Sequence, residues 1–265
     1  MDSALATKLA QTVRAADPDR YFATLFAPPQ HRPYLYALYA FNNEVARVAE
    51  TVREPMLGAI KLEWWRETAE GAANGAPRNH DVARGLAALF ADRQISLAAL
   101  EAIVAARAFD SNAEHFADFV ALEAYLDATG GALMRLAAQI LGGDPLAMRE
   151  AALAYGLAGL LRSLKFHNSR HKLYLPLDLL AAVNLTPEEF FAAANDPRIG
   201  AVVRQTSLRA RDHFLAARKG PRPRAALAAL LPAALVPVYL RRIGREVPIH
   251  RRQMALLSAA MKNRL

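Results

Sequence analysis

Apolar residues in this chain recur three and four positions apart, the spacing of one helix face, and almost nowhere do they alternate. Between positions 32 and 52, Leu35, Leu38, Tyr39, Asn42, Val45, Val48 and Val52 follow that rhythm. No strand pattern exceeds a few residues. Alanine, the best helix former, supplies roughly a fifth of the sequence. The spacing therefore predicts an all-α protein. With 54% apolar and 22% charged residues the chain can bury a core and is not a disordered polymer. Its 265 residues, without repeat or long linker, read as a single domain over 1–265 with roughly ten helices.

Proline, glycine and capping residues divide the pattern. Asp17-Pro18-Asp19 reads as a turn and helix start, and Ala27-Pro28-Pro29 as a stop. Helices are expected over 32–51, from Pro55, over 81–92, 96–109, 114–141 and 145–167, from Thr186, and over 197–219, 224–245 and 248–262. The helix from Pro55 carries an apolar stripe of Leu57, Ile60, Leu62, Trp64 and Trp65. In 114–141 the pair Gly130-Gly131 costs about 1 kcal/mol per glycine against alanine, and implies a kink or a close approach. Thr186-Pro187-Glu188-Glu189 has the form of a capping box. The stretch 167–176 reads as a basic linker, and 220–223 as a break.

The net charge of +8 is unevenly spread. From Arg218 onward there are eleven Lys/Arg, Arg222 and Arg264 among them, and one acid, Glu246, so this stretch carries +10 and the remainder −2. Such asymmetry suits an anionic partner: a membrane surface, a diphosphate or an acidic protein. It also suits a solvated basic face. No aromatic and basic recognition module speaks for nucleic acid. Cysteine is absent, which excludes disulfides, thiolate catalysis and thiolate metal sites. Positions 1–17 lack the apolar core of a signal peptide. The apolar run 225–240 is shorter than the ~20 residues that span a bilayer, and Pro232 and Pro237 interrupt it. It reads as a buried or interfacial helix pair. The expectation is a cytoplasmic protein, peripheral on the inner membrane, on the matrix side if the chain is a mature eukaryotic one.

Several single residues draw attention. His167 and His171 stand four apart, but Lys165, Arg170 and Lys172 surround them and would repel a cation, so a metal site is disfavoured. Trp64-Trp65 reads as core aromatic ahead of interfacial anchor. Arg162, on an otherwise apolar helix, needs an anion, either an internal acid or a ligand in a pocket. Asn42 and Asn43 sit mid-helix, where asparagine is a poor former, and one of them is expected to bond across to a neighbouring helix.

Two stretches resemble one family. Leu38-Tyr39-Ala40-Phe41-Asn42-Asn43-Glu44-Val45-Ala46-Arg47-Val48, with Gly58, Leu62, Trp64 and Trp65, is similar to the first signature of squalene/phytoene synthases. Gly156-Leu157-Ala158-Gly159-Leu160-Leu161-Arg162, ending in Lys172-Leu173-Tyr174-Leu175-Pro176, is similar to the second. The resemblance spans about 17–245 and implies an isoprenoid synthase-like helical bundle around a central pocket. It also implies an aspartate motif on each of two facing helices. At the matching positions stand Ala46, Arg47 and Glu50 on one, and Ser163 and His167 on the other. Magnesium takes oxygen ligands and neutralises a departing diphosphate, and such a set offers it almost none.

The run from Leu161 to Asp178 resembles instead the branch of that family containing mitochondrial complex I assembly factor 6 and its bacterial relatives. That likeness implies a non-catalytic role in assembling respiratory NADH dehydrogenase, acting at the membrane. The implied partners are a subunit or assembly protein and an isoprenoid or anionic lipid, with no metal and no cofactor. The pocket candidates are Asn43, Arg47, Glu50, Arg162, His167, Arg170, Lys172 and Tyr174. The alternative is an active magnesium-dependent enzyme condensing two prenyl diphosphates through other acids: Glu44, Glu50, Glu63 and Asp110.

Overall fold

A computed structural model describes all residues except 53, 94, 113, 193–195, 221–223 and 264. The chain is all-α, as expected, with no strand among the described residues. In chain order the helices are α1 (Ser3–Ala16), α2 (Pro18–Thr24), α3 (Arg32–Ala46), α4 (Val48–Thr51), α5 (Pro55–Ala73), α6 (Asp81–Asp92), α7 (Leu97–Ala106), α8 (Ala108–Ser111) and α9 (Phe119–Leu126). They continue as α10 (Ala132–Ile140), α11 (Arg149–Arg162), α12 (Leu164–Ser169), α13 (Leu177–Ala181), α14 (Pro187–Ala192), α15 (Pro197–Lys219), α16 (Leu227–Leu230), α17 (Val236–Leu240) and α18 (Ile249–Lys262).

Local chemistry fixes the helix starts. Asp2, Asp17, Asp118 and Asp196 each accept a backbone N–H in the first turn. At α14 the backbone N–H of Glu189 donates to Thr186 Oγ1 at 3.2 Å and that of Thr186 to Glu189 Oε2 at 3.0 Å, which is the capping box read from the sequence. The Asp118 cap also explains why the helix expected from 114 begins only at Phe119. Residues 114–118 are not helical, and Phe116 packs on Phe109 with ring centroids 4.1 Å apart.

Long helices expected as single rods are broken. The 32–51 helix divides at Arg47, the 96–109 helix at Arg107, and the 145–167 helix at Ser163 after opening as a 3-10 turn. Gly130 and Gly131 lie in a π-helical turn, Asp127–Gly131, which interrupts the α-helix between α9 and α10. A Cβ on Gly131 would stand 2.6 Å from Asp127 Oδ1, in the ion pair with Arg135. The close approach is therefore by a side chain of the same helical stretch, not by another backbone. The apolar run 225–240 is a series of short turns, with Leu231, Leu235, Val236 and Tyr239 buried. It is core, not interfacial. Among the described residues no helix is long and apolar enough to cross a membrane. Arg222, Arg264 and most of the break at 220–223 lie outside the described residues.

The main core joins α1, α3, α5, α6, α7, α10 and α11 to the C-terminal turns. α11 packs along α15, and the Glu123 carboxylate of α9 and Glu150 of α11 clasp His213 of α15 at 3.0 and 2.7 Å. The stripe of α5 divides: Leu62 and Trp65 are buried, whereas Leu57 and Ile60 are exposed and Trp64 lies at the surface under Arg78. The core reading thus holds for Trp65 and fails for Trp64, and Leu57 and Ile60 lie on the far side of the helix from Leu62.

A Cβ on Gly143 would meet Ala226 at 2.4 Å, with backbone atoms of Ala226 at 3.2 Å. Gly143→Ala is expected to destabilise the fold by about 1–3 kcal/mol, read as a lower Tm in a thermal melt. An unchanged Tm would show that the 224–226 turn moves freely.

Candidate functional site

The broken helices enclose a cavity of ≈ 990 Å³. Leu126, Met134, Ala152, Gly156, Gly159 and Leu160 form much of its apolar wall. Asn43, Glu50, Asn112, His167, Arg170 and Lys172 are among its polar lining. Of the candidates read from the sequence, Asn43, Glu50, Arg162, His167, Arg170, Lys172 and Tyr174 all line this space. Arg47 does not. It is exposed at the break between α3 and α4, because the chain turns there and does not continue the helical face.

Each lining residue has a particular engagement. Arg170 Nη1 donates to the Glu50 carbonyl at 2.7 Å, tying α12 to α4. Lys172 Nζ donates to the Asn112 carbonyl, and burial lowers its pKa against the opposing pull of Asp110. His167 lies 4.7 Å from the ring of Tyr174, and burial pushes its imidazole down to about 4. His171, with a left-handed backbone at φ 52°, stacks instead near Phe191. The two histidines therefore do not share a helix face, because α12 ends at Ser169. Among the described residues, neither Asn42 nor Asn43 shows a side-chain hydrogen bond to a neighbouring helix. Asn42 Oδ1, Asn43 Nδ2 and Ser111 Oγ are buried without partners, and all three residues line the cavity.

Two buried acids organise the surroundings. Asp110 accepts from Arg107 at 3.1 Å, Tyr125 Oη at 2.6 Å and Tyr174 Oη at 2.9 Å, and it lines the cavity. Asp19 accepts from Arg252 at 2.8 Å, Arg162 at 3.1 Å and Tyr155 Oη at 3.2 Å, and from Tyr239 Oη. Arg162 thus has an internal acid as its anion, although its side chain remains 41% exposed toward the cavity. Sequence reasoning missed Asp19, which looked like an ordinary first-turn acid. It also took Arg252 as part of a basic surface, whereas its guanidinium points inward at Asp19.

The residues present do not fit a magnesium cluster. The cavity's carboxylates among the described residues are Glu50, which is exposed, and Asp110, whose oxygens are taken up by an arginine and two tyrosines. No three His, Asp or Glu side chains converge among the described residues. Glu63 lies outside, held by Arg66 at 2.7 Å. Glu44 is not part of the lining.

Residues 13–258 match the squalene/phytoene synthase family, and the chain belongs to that family. NADH dehydrogenase (ubiquinone) complex I, assembly factor 6, from human is 27% identical over 241 residues, covering 89% of this chain and 72% of that protein. Its bovine counterpart is 27% identical over 239 residues. Presqualene diphosphate synthase of Rhodopseudomonas palustris is 28% identical over 206 residues, covering 75% of this chain and 72% of that protein. In structure the chain is similar to a dehydrosqualene synthase crystallised with ligand, with a TM-score of 0.81 at 13% identity over 97% of this chain and 96% of that one. A squalene synthase from Alicyclobacillus acidocaldarius gives a TM-score of 0.74 at 16% identity, covering 98% of this chain and 94% of that one. The isoprenoid synthase fold expected from the sequence is thereby shown.

Removing the Asp19 carboxylate leaves Arg162 and Arg252 without their anion. Breaking a buried pair costs 3–5 kcal/mol, and because Arg162 reaches water we expect Asp19→Ala to lose about 3 kcal/mol in chemical denaturation. A loss no larger than that of an exposed-acid control such as Asp144→Ala would contradict this. His167 supplies a pH signature. Its folded pKa of about 4 lies below the unfolded value of 6.5, so the native state binds fewer protons. Stability is full above pH 6.5 and falls as pH drops from 6.5 toward 4. His167→Gln should remove that part of the decline, and a histidine NMR titration should find its ring neutral at pH ~5.5.

Proposed function

We propose that this protein is a non-catalytic member of its family and serves assembly of respiratory NADH dehydrogenase. In this reading its cavity holds an isoprenoid or another lipid without converting it. One observation carries the reading: the buried carboxylate on the cavity wall, Asp110, is spent on Arg107, Tyr125 and Tyr174. Ionising a prenyl diphosphate calls for charge neutralisation on the leaving group, which clustered carboxylates provide by holding divalent ions. Arg170 and Lys172 can attract a diphosphate through charge-assisted hydrogen bonds. They supply no comparable pull on the breaking carbon–oxygen bond. Binding without turnover follows.

The unpartnered Asn42 Oδ1, Asn43 Nδ2 and Ser111 Oγ support a bound polar headgroup. The apolar wall from Leu126 to Leu160 supports a hydrocarbon chain. The names of the human and bovine relatives support the assembly role.

Two measurements test this reading. Purified protein incubated with farnesyl or geranylgeranyl diphosphate and Mg²⁺ is expected to yield no condensed product. Deleting the gene in the organism that encodes it is expected to deplete assembled NADH dehydrogenase on native gels, with restoration by the intact gene. Formation of a C30 or C40 product, with NADH dehydrogenase unaffected by the deletion, would establish the prenyltransferase reading instead.

A further inference from the structure

Two one-turn helices, α4 and α8, adjoin at the edge of the cavity. Helices this short do not hold themselves together, and their last carbonyls find no partner within the helix. Both receive one from the same turn of chain. Arg170 Nη1 donates to the Glu50 carbonyl of α4 at 2.7 Å, and Lys172 Nζ to the Asn112 carbonyl at the end of α8. That turn is closed by the backbone N–H groups of Arg170 and Lys172, which donate to the His167 carbonyl at 3.0 and 2.9 Å. His171, between the two cations, is held at φ 52°, a left-handed backbone uncommon outside glycine. Residues 167–172 therefore form a strap at the exposed edge of the cavity, pinned to α4 by one cation and to α8 by the other.

These two cations are spent on neutral acceptors. The other guanidinium groups of the lining each face an acid: Arg20 meets Asp17 at 2.6 Å, Arg107 meets Asp110 at 3.1 Å and Arg162 meets Asp19 at 3.1 Å. Among the described residues, Arg170 and Lys172 form no ion pair and reach backbone carbonyls instead. The acids in the same lining are Glu50, whose side chain is exposed, and Asp110, whose oxygens are held by Arg107, Tyr125 and Tyr174. Burial lowers the Lys172 pKa against the opposing pull of Asp110, as befits an ammonium short of negative charge. Of the histidines in the strap, burial pushes His167 down to about 4, so it adds no charge near neutral pH, and His171 packs near Phe191. The adjoining stretch 44–61 carries three acids and three cations, hence no net charge. The attraction for an anion thus lies in the two donors themselves and not in a wider positive surface.

We propose that an entering oxyanion, a phosphate or diphosphate ester, takes Arg170 and Lys172 from the Glu50 and Asn112 carbonyls, and that this exchange unlatches α4 and α8 from the strap. An ammonium or guanidinium gains more from an anion than from a carbonyl dipole, because full charge meets full charge. The donors stand two residues apart in one turn, so a single multivalent anion engages both. The two carbonyls then turn to water, which is at hand because Glu50 and Asn112 are exposed. Without their caps the one-turn helices loosen, and the edge of the cavity widens for the apolar chain that follows the head. An uncharged ligand has no such hold on the two side chains and leaves the latch shut. The inference rests on the lipid-holding reading above and adds what opens the cavity. It is measured without Mg²⁺ and without any respiratory subunit, so its failure is distinct both from turnover and from failure of the assembly role.

The experiment is hydrogen exchange of the full chain, read by mass spectrometry over residues 48–52 and 108–112. These segments hold the amides of Glu50, Thr51, Val52, Asp110 and Asn112, which are bonded inside the two turns. The ligands are inorganic diphosphate, geranylgeranyl diphosphate and the uncharged geranylgeraniol, at matched ionic strength. A diphosphate is expected to speed exchange in both segments about fivefold, and geranylgeraniol to leave it unchanged. A rise with both diphosphates assigns the latch to the oxyanion whatever carries it, a rise with the prenyl diphosphate alone to a lipid headgroup, and a rise with inorganic diphosphate alone to a free anion. An Arg170→Met/Lys172→Met variant, which lacks both donors, is expected to exchange fast in both segments without ligand and to gain nothing from either diphosphate. An Arg241→Met/Arg245→Met variant, altered at exposed cations elsewhere, is expected to respond as the parent does. The proposal is overturned if neither diphosphate changes exchange in the two segments, if either one slows it, if only one segment responds, if geranylgeraniol speeds it equally, or if the strap variant responds as the parent does. Should the strap variant fail to fold, the response of the parent to the three ligands still decides.

Discussion

Buried negative charge in this protein is neutralised by the protein's own arginines and tyrosines. An isolated carboxylate in a low-dielectric interior is expensive and persists only when its lone pairs are occupied. Asp19 is 2% exposed and gathers Tyr155 and Arg162 from α11, Tyr239 from α17 and Arg252 from α18. One carboxylate near the start of the chain thus holds together three helices that arrive 136 to 233 residues later. Asp110 does the same on the other side of the cavity, joining α8 to Tyr125 of α9 and to Tyr174 beyond α12.

That constraint decides what the cavity can offer. With Asp110 engaged, the polar groups left for a ligand are neutral or cationic apart from the exposed Glu50 carboxylate. Asn42 and Asn43 present unpartnered atoms, and Arg170 and Lys172 keep donors near the opening. The helix breaks at Arg47 and Ser163 sit where the family resemblance implies metal-binding aspartates. At the first break the arginine turns outward to solvent. The cavity keeps an apolar wall with cationic groups among its polar lining, and its buried acid, Asp110, serves architecture.

Much of the fold was legible because its determinants are local. Caps at Asp17 and Thr186, Pro55 at a first turn and the glycine pair at 130–131 act within one helical turn, and the sequence shows them directly. The breaks at Arg47, Arg107 and Ser163 contain neither proline nor glycine, so tertiary packing sets them and periodicity could not. The polar candidates that line the cavity were reached through the resemblance, which marks positions on two facing helices. Asp19 was not, because a first-turn aspartate after proline looks the same whether it faces solvent or the core. Trp64 was read as core with Trp65 because hydrophobicity reports that a residue is apolar, without reporting what covers it.

The most direct measurement is a crystal of the protein soaked with Mn²⁺ and a farnesyl thiolodiphosphate analogue, read by anomalous scattering. The internal neutralisation described here predicts no manganese bound to protein carboxylates in the cavity, with Asp110 still bonded to Arg107, Tyr125 and Tyr174. Two or more manganese peaks bridging protein oxygens and the diphosphate would contradict it.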